Sequence, residues 1–426
     1  MVCFCRTGYN YLILRQNKIP MRISILGMLF LLCSSSVFAQ WEALSLSAVT
    51  TRHHPVTFTL NDTAYLLTGT TVQSSPQGTA DFFRYDEADD SWVRLPDFPG
   101  GARSFAYATS YEGKGYIGFG TNDNNVYFDD LWEYDPVTKE WTELTSCDCR
   151  GRNHPVFVAQ AGRIFVGLGN GPFDLNDFWS YDIDSNEWTQ MPNLPGPPRH
   201  HPFHFAADGH VYAGMGHSGS NYYADWYKFD TNTDTWTEMN EHPAGGRVAG
   251  QEFTYKGYGY IISGDGAFHQ NLVDGEFWKY LHETDEWERL PDHPGSAPDN
   301  RIGRWAPGSF VLNGHAYFFG GVNRGAGFLY NDMYRFDLEE ETVSVNNPVR
   351  EQATRVYPNP ATDRLFVQWD AEPGFQSPYV LFTMDGRPVS EGLVSNSGEI
   401  RLGSNLPAGM YMLSLEGDKH IVFIQR

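Results

Sequence analysis

Six arginines, Arg52, Arg103, Arg152, Arg199, Arg247 and Arg304, are each followed two positions later by His54, Phe105, His154, His201, Ala249 and Ala306. Seventeen positions past each arginine stands a glycine, and the residue after that glycine is Thr70, Thr121, Asn170, His217, Asp265 or Val322 in turn. Histidine can ligate a metal as a neutral imidazole or recognise an anionic or sugar ligand near neutral pH. His54, His154, His201 and His217 are therefore candidates for a ligand-binding rim, together with Asn170, Asp265, Arg52, Arg152 and Arg199. Turn chemistry is the competing explanation. In Arg52-His53-His54-Pro55 and Arg152-Asn153-His154-Pro155, proline shapes the entry to a strand while histidine bonds to backbone. One arginine per unit also reads more simply as a hydrogen-bonding device between units than as six copies of a catalytic group. The structural role is preferred, and no metal, cofactor or catalytic residue is assigned.

Other patterns carry less. Gly214-Met215-Gly216-His217-Ser218-Gly219 fits a dinucleotide fingerprint, but Trp226 to Phe229 follow where a helix is required. Asp123 among Asn122, Asn124 and Asn125 lacks the spaced carboxylates of a calcium loop. Glu252 with Arg247 or His201 could form the acid/base pair that proton transfer needs, yet nothing in the spacing selects them. Cys147 and Cys149 are separated by one residue, so a bridge between them closes a short, strained ring; they read as a local loop feature.

The elements that must position these residues come in repeats. Thirteen positions past each arginine stands Tyr65, Tyr116, Phe165, Tyr212, Tyr260 or Tyr317. Later in each unit an acidic and aromatic run (Asp177 to Asp182 in the third, a degenerate Glu276 to Leu281 in the fifth) precedes Trp92, Trp141, Trp188, Trp236 or Trp287. Two apolar and two aromatic runs bounded by turn residues read as four antiparallel strands. The sixth copy lacks its tryptophan, whereas Gln40-Trp41-Glu42-Ala43-Leu44 supplies a matching strand ahead of the first arginine. The expectation is an all-β, six-bladed propeller over residues 40–338, closed by the N-terminal strand so that no sheet edge is left exposed.

This repeat resembles the kelch motif, with Gly320-Gly321 its one full glycine pair. Kelch propellers include sialic-acid mutarotases and copper oxidases of galactose, so the resemblance alone leaves enzymatic activity open. The oxidase would need a cysteine near tyrosine and histidine ligands, and Cys147 and Cys149 sit together in one turn.

Residues 1–39 have the charged start, apolar centre and small-residue exit of a secretory signal peptide, with translation expected from Met21 and cleavage after Ala39. Losing Arg6, Arg15, Lys18 and Arg22 moves the formal charge from -22 to -26. Such acidity disfavours nucleic acid and anionic membranes as partners, and no later run is long enough for a membrane helix. A polar linker is expected over 339–354, followed by a small β-sandwich over 355–426. That tail resembles the type A sorting domain of the type IX secretion system of Bacteroidetes, through Pro358-Asn359-Pro360 with Asp363, Asp385-Gly386-Arg387, Leu406 to Tyr411 and Val422-Phe423-Ile424. The resemblance implies the secretion machinery as a partner and a secreted or outer-membrane surface location. Together these features point to an exported binding module for a glycan or surface protein rather than an enzyme, with an N-acetylneuraminate epimerase type of carbohydrate enzyme as the alternative.

Overall fold

A computed structural model describes residues 41–46, 48–72, 77–295 and 301–339, and, in the tail, 355–357, 361–368, 376–383, 387–395, 398–403, 406–415 and 418–425. The signal peptide with Met21, the linker beyond Glu339, Pro358-Asn359-Pro360 and Asp385-Gly386 lie outside the described residues. Two compact units are present, one ending at Glu339 and one beginning at Glu340.

The first unit is all-β and propeller-like. Its third sheet shows the pattern: Val156–Gln160, Arg163–Gly167, Phe178–Asp182 and Glu187–Met191 pair antiparallel in chain order. Four other described sheets repeat this order, and the first strands of neighbouring sheets touch in a cyclic sequence. The sixth differs in its source of strands. Gly308–Leu312, His315–Phe319 and Asp332–Asp337 are joined by Trp41–Ser45, which pairs antiparallel with Asp332–Asp337 from Trp41 opposite Phe336 to Ser45 opposite Asp332.

Trp41 occupies the place that a fourth-strand tryptophan holds elsewhere. Its indole donates to the Pro291 carbonyl of the preceding unit at 3.1 Å, as Trp188 does to Thr145 and Trp236 to Pro192, both at 2.8 Å. Its ring also packs on Phe277 and Phe336, at centroid distances of 5.7 and 5.0 Å. Aromatic wedges of this kind fill the space between consecutive sheets and favour tilted contacts. Because Trp41 is only partly buried, Trp41→Ala is expected to lower stability by about 2 kcal/mol, below the ~3–5 kcal/mol of a fully buried tryptophan, and to promote self-association through the loosened strand. Urea titration and size-exclusion chromatography check both effects.

Glycines stand where a side chain would collide. Gly169 has φ +83°, and a Cβ built there would meet the Asn153 carbonyl oxygen at 2.4 Å. The repeated glycine therefore ends the second strand where two backbones nearly touch. Its amide donates to the Arg199 carbonyl of the next unit at 2.9 Å, which links neighbouring sheets near the axis.

The second unit has a three-stranded sheet (Arg355–Tyr357, Arg364–Gln368, Gly398–Arg401) and a four-stranded one (Pro388–Ser395, Gln376–Thr383, Gly409–Leu415, Asp418–Ile424). Leu365, Val367 and Ile400 from the first meet Leu381, Val394, Leu413 and Val422 from the second in one core. The two faces form a β-sandwich.

Candidate functional site

The residues two past each arginine form the innermost layer at one end of the sheets. All six, His54, Phe105, His154, His201, Ala249 and Ala306, adopt left-handed backbone with φ between 49° and 62°. Such a conformation costs a non-glycine residue about 1 kcal/mol or more, so neighbours must hold it. Backbone links between sheets do so: His54 donates to the Ala306 carbonyl at 2.9 Å, Ala306 to Ala249 at 2.6 Å and His154 to Phe105 at 3.3 Å. The resulting turn delivers the side chains to a common centre.

There His54 Nε2 lies 3.2 Å from His201 Nε2, and the His154 and His201 rings have centroids 3.6 Å apart. His53 Nδ1 approaches His54 Nδ1 at 2.6 Å, while His53 Nε2 bonds the Val72 carbonyl at 2.9 Å. His154 Nδ1 bonds Asn170 Oδ1 at 3.2 Å. His217 joins from the side, its ring 4.0 Å from that of His200 and 4.5 Å from that of His269. His200 Nδ1 is held by Asp174 at 2.7 Å. Burial disfavours the charged imidazolium, and neighbouring imidazoles and Arg324 add to this for His54. His54, His154 and His201 are pushed well below the usual histidine range, His53 and His217 to about 4 and His269 to about 3. These six imidazoles are neutral at pH 7.

Asp265 belongs to the same end but serves it differently. Burial raises its carboxyl well above the carboxylate range, and its Oδ1 accepts from Asn271 Nδ2 at 3.0 Å. The arginines require a correction. Arg52, Arg152 and Arg199 are fully buried and each is paired with a carboxylate of its own unit, Asp81, Asp177 or Asp225. Each also donates to the carbonyl just before the repeated glycine: Thr68, Leu168 or Met215. The guanidinium groups are thereby committed within a unit and present no free fork to a rim ligand. Arg247 is likewise paired with Glu276, whose extra methylene preserves the ion pair in the degenerate fifth copy, but it donates to the Gly246 carbonyl at 3.2 Å.

Glu252 is therefore not the partner of Arg247 or of His201. It projects into a cavity of about 470 Å³ that follows the first strands from His54 to Thr59 and is lined by all six of them. Its Oε1 lies 3.1 Å from His204 Nδ1, and its side chain is 11% exposed to the cavity. Being far from bulk water, the carboxyl is raised well above its ordinary range. His204 is lowered by burial to about 4, with its Nε2 near the Phe157 amide and carbonyl at 3.1 and 3.3 Å. Tyr107 is raised chiefly by burial. A neutral acid thus faces a neutral imidazole inside a polar cavity. The signal for this pair was in the sequence: five positions past the arginines stand Thr57, Ala108, Phe157, His204, Glu252 and Ser309. Two ionisable residues at one offset in adjacent copies mark an axial layer. His53 and His200, one past their arginines, were likewise missed as members of the imidazole cluster.

Cys147 and Cys149 form a disulfide with a Cα separation of 5.0 Å, and both are buried. Among the described residues, no helix is long and apolar enough to cross a membrane.

Residues 355–425 match the family described as Secretion system C-terminal sorting domain. This tail directs export through a type IX secretion system to the cell surface or beyond. N-acetylneuraminate epimerase of Pasteurella multocida is 32% identical over 115 residues, 25% of this chain and 29% of the relative. The protein of the same name from Escherichia coli K12 is 33% identical over 119 residues, covering 27% and 30%. The chain thus spans under a third of the curated relatives it matches. Among solved structures, that of YjhT superposes with TM-score 0.55 at 17% identity, covering 66% of this chain and 94% of the other. At that identity the likeness concerns the fold.

Proposed function

We propose that this chain, a kelch-like propeller joined to a sorting domain, is an exported binding module whose axial cavity receives a carbohydrate. In this reading residues 1–39 are a removable signal peptide, and residues 40–338 form six blades closed by the Trp41 strand. The cavity carries the proposal. Its volume falls within the range that holds small ligands, and hydroxyl and amide groups from Thr57, Thr59, Thr109, Ser110, Gln160 and Thr254 line it. Neutral donors and acceptors suit a polyhydroxylated ligand better than an ion. Glu252, kept protonated by burial, adds a donor at the centre.

The Glu252–His204 pair favours a second reading, proton transfer on a sugar of the N-acetylneuraminate epimerase type. One set of variants separates the two. For the binding module, glycan-array and calorimetric titration of the full chain give a saturable sugar ligand. Glu252→Gln, which still donates, weakens binding only about threefold, while Glu252→Ala costs about tenfold, in line with loss of one hydrogen bond. For the enzyme, NMR exchange between sugar anomers is accelerated, and Glu252→Gln slows it by roughly 10²-fold or more, because glutamine cannot transfer a proton. Absence of any bound sugar on the array removes both readings.

A further inference from the structure

The imidazole cluster has a property that neither packing nor sugar binding explains: its hydrogen bonds fix which ring nitrogens carry protons. The Val72 carbonyl can only accept, so His53 donates through Nε2 and its Nδ1 is a lone pair. That lone pair accepts from His54 Nδ1–H, which leaves His54 Nε2 unprotonated. Asn170 Oδ1 accepts from His154 Nδ1–H, leaving His154 Nε2 unprotonated, buried and without a hydrogen-bond partner. His201 is buried as well: its Nε2 hydrogen-bonds the unprotonated His54 Nε2 at 3.2 Å, a contact that a cation held by both nitrogens would replace, and its Nδ1 has no hydrogen-bond partner. Stranding bare lone pairs in a dry interior costs on the order of 1–3 kcal/mol each unless something accepts them.

We propose that His54, His154 and His201 form a three-imidazole site for a late first-row divalent cation, with zinc as the reference ion. One ring nitrogen of each lies within 4.8 Å of the others. Zinc takes imidazole nitrogen at about 2.0–2.1 Å, which in a tetrahedron places ligand nitrogens about 3.3 Å apart; His54 Nε2 and His201 Nε2 are separated by 3.2 Å. Three neutral imidazoles suit zinc, copper or nickel rather than calcium or magnesium. The outer contacts fit too, because metal-bound histidines normally donate their second N–H to a carbonyl, carboxylate or neighbouring group that fixes the ring. Asn170 fixes His154, and the Val72–His53 relay fixes His54. Phe105 and Trp305 wall the site edge-on to His54, at centroid distances of 4.7 and 4.5 Å. His54 also lines the axial cavity, so the three-imidazole site lies at the edge of the space where small ligands enter.

A neighbouring triad, His200, His201 and His217, shares His201 and sets the rival assignment. The full chain, freed of metal by chelation, is titrated with Zn²⁺ by calorimetry and with Co²⁺ by visible absorption. One ion per chain is expected, with the intense bands of tetrahedral Co²⁺. His54→Ala and His154→Ala each weaken Zn²⁺ binding by at least 10²-fold. Asn170→Leu, which leaves every ligand in place, weakens it by 10- to 100-fold as outer-contact losses do. His217→Ala stays within threefold of the parent, and near-UV circular dichroism verifies the fold of each variant. A parent chain that binds no Zn²⁺, or binds Co²⁺ without tetrahedral bands, overturns the proposal whatever the variants do. So does binding that survives His54→Ala but is lost in His217→Ala, which places the ion on the other triad. Sugar binding is scored in the same samples before and after chelation, so failure of the metal site and failure of the cavity assignment are read separately.

Discussion

Replacing Arg199 by methionine is expected to lower the stability of the propeller-like unit by about 3–5 kcal/mol, the cost of removing one partner from a buried ion pair. Arg199 is 0% exposed and donates to both Asp225 oxygens, to the Met215 carbonyl at 3.0 Å and to the Pro197 carbonyl at 3.0 Å. Tyr223 stacks on the guanidinium, 4.3 Å from ring centroid to Cζ. Methionine fills part of the volume but leaves the Met215 and Pro197 carbonyls without donors and Asp225 with only the Tyr227 hydroxyl, at 3.1 Å. The equivalent pair in the third unit shows the balance: burial alone would raise Asp177, and the hydrogen bonds and charge of Arg152 outweigh it, holding the carboxyl below its ordinary range. Arg94, whose pair with Asp97 is half exposed, provides the contrast. Arg94→Met is expected to change stability by less than about 1 kcal/mol, as exposed pairs do. Urea titration followed by tryptophan fluorescence measures both, and the transition midpoint of Arg199→Met should fall with little change in slope.

Acid is expected to unfold the same unit in a cooperative transition near pH 5. Three buried histidines outside the imidazole cluster contribute to it alongside the cluster itself: His204 and His242 are lowered to about 4 and His293 to about 3, each chiefly by burial. Because the folded state holds them neutral below the unfolded value of 6.5, their contribution is complete above that pH and is lost as pH falls toward 4. At 1.36 kcal/mol per unit, each forfeits about 2 kcal/mol by pH 5, and the sum of about 6 kcal/mol rivals the whole stability of a typical domain. Glu252 works against His204, since a raised carboxyl gains stability as pH falls. His242 and His293 are the cleaner probes. His242 faces Arg247, Glu276 and Arg289, and His293 faces Arg304. Both stand six positions past a tryptophan, where Phe98 and Leu194 occupy other copies. The double variant His242→Phe, His293→Leu should therefore move the acid midpoint down by about one pH unit while costing little at pH 7.5, where only their hydrogen bonds to Gly245, Pro294 and Ser263 are lost. Circular dichroism across a pH series checks the shift; an unchanged midpoint would show that these histidines do not control it.

Much of this architecture was legible in the chain. A constant offset from arginine to glycine reports a constant path through two strands, because a one-residue slip would turn every aromatic to the wrong face. The sorting tail was readable for a different reason, since its motifs lie close together in sequence. Roles were harder to read than positions. The arginines looked like a device between units, yet their carboxylates stand 25 to 29 positions later in the same unit. Spacing showed that Asp81, Asp177 and Glu276 recur, but not that their oxygens point back at the arginine. Glu252 was noticed for its chemistry, but nothing in the spacing selected a partner, because that depends on which side chain of the neighbouring inner strand faces it, and His204 does, at 3.1 Å.

By itself the sequence determined the repeat, the order of strands, the compartment and the shared layer of His54, His154 and His201, all of which follow from local periodicity and short-range pattern. Tertiary structure alone decided that His54 and His201, 147 positions apart, would meet at 3.2 Å. The reason is geometric and electrostatic: cyclic contact of the sheets brings equivalent positions to one axis, left-handed backbone turns their side chains inward, and removal from water keeps those imidazoles neutral.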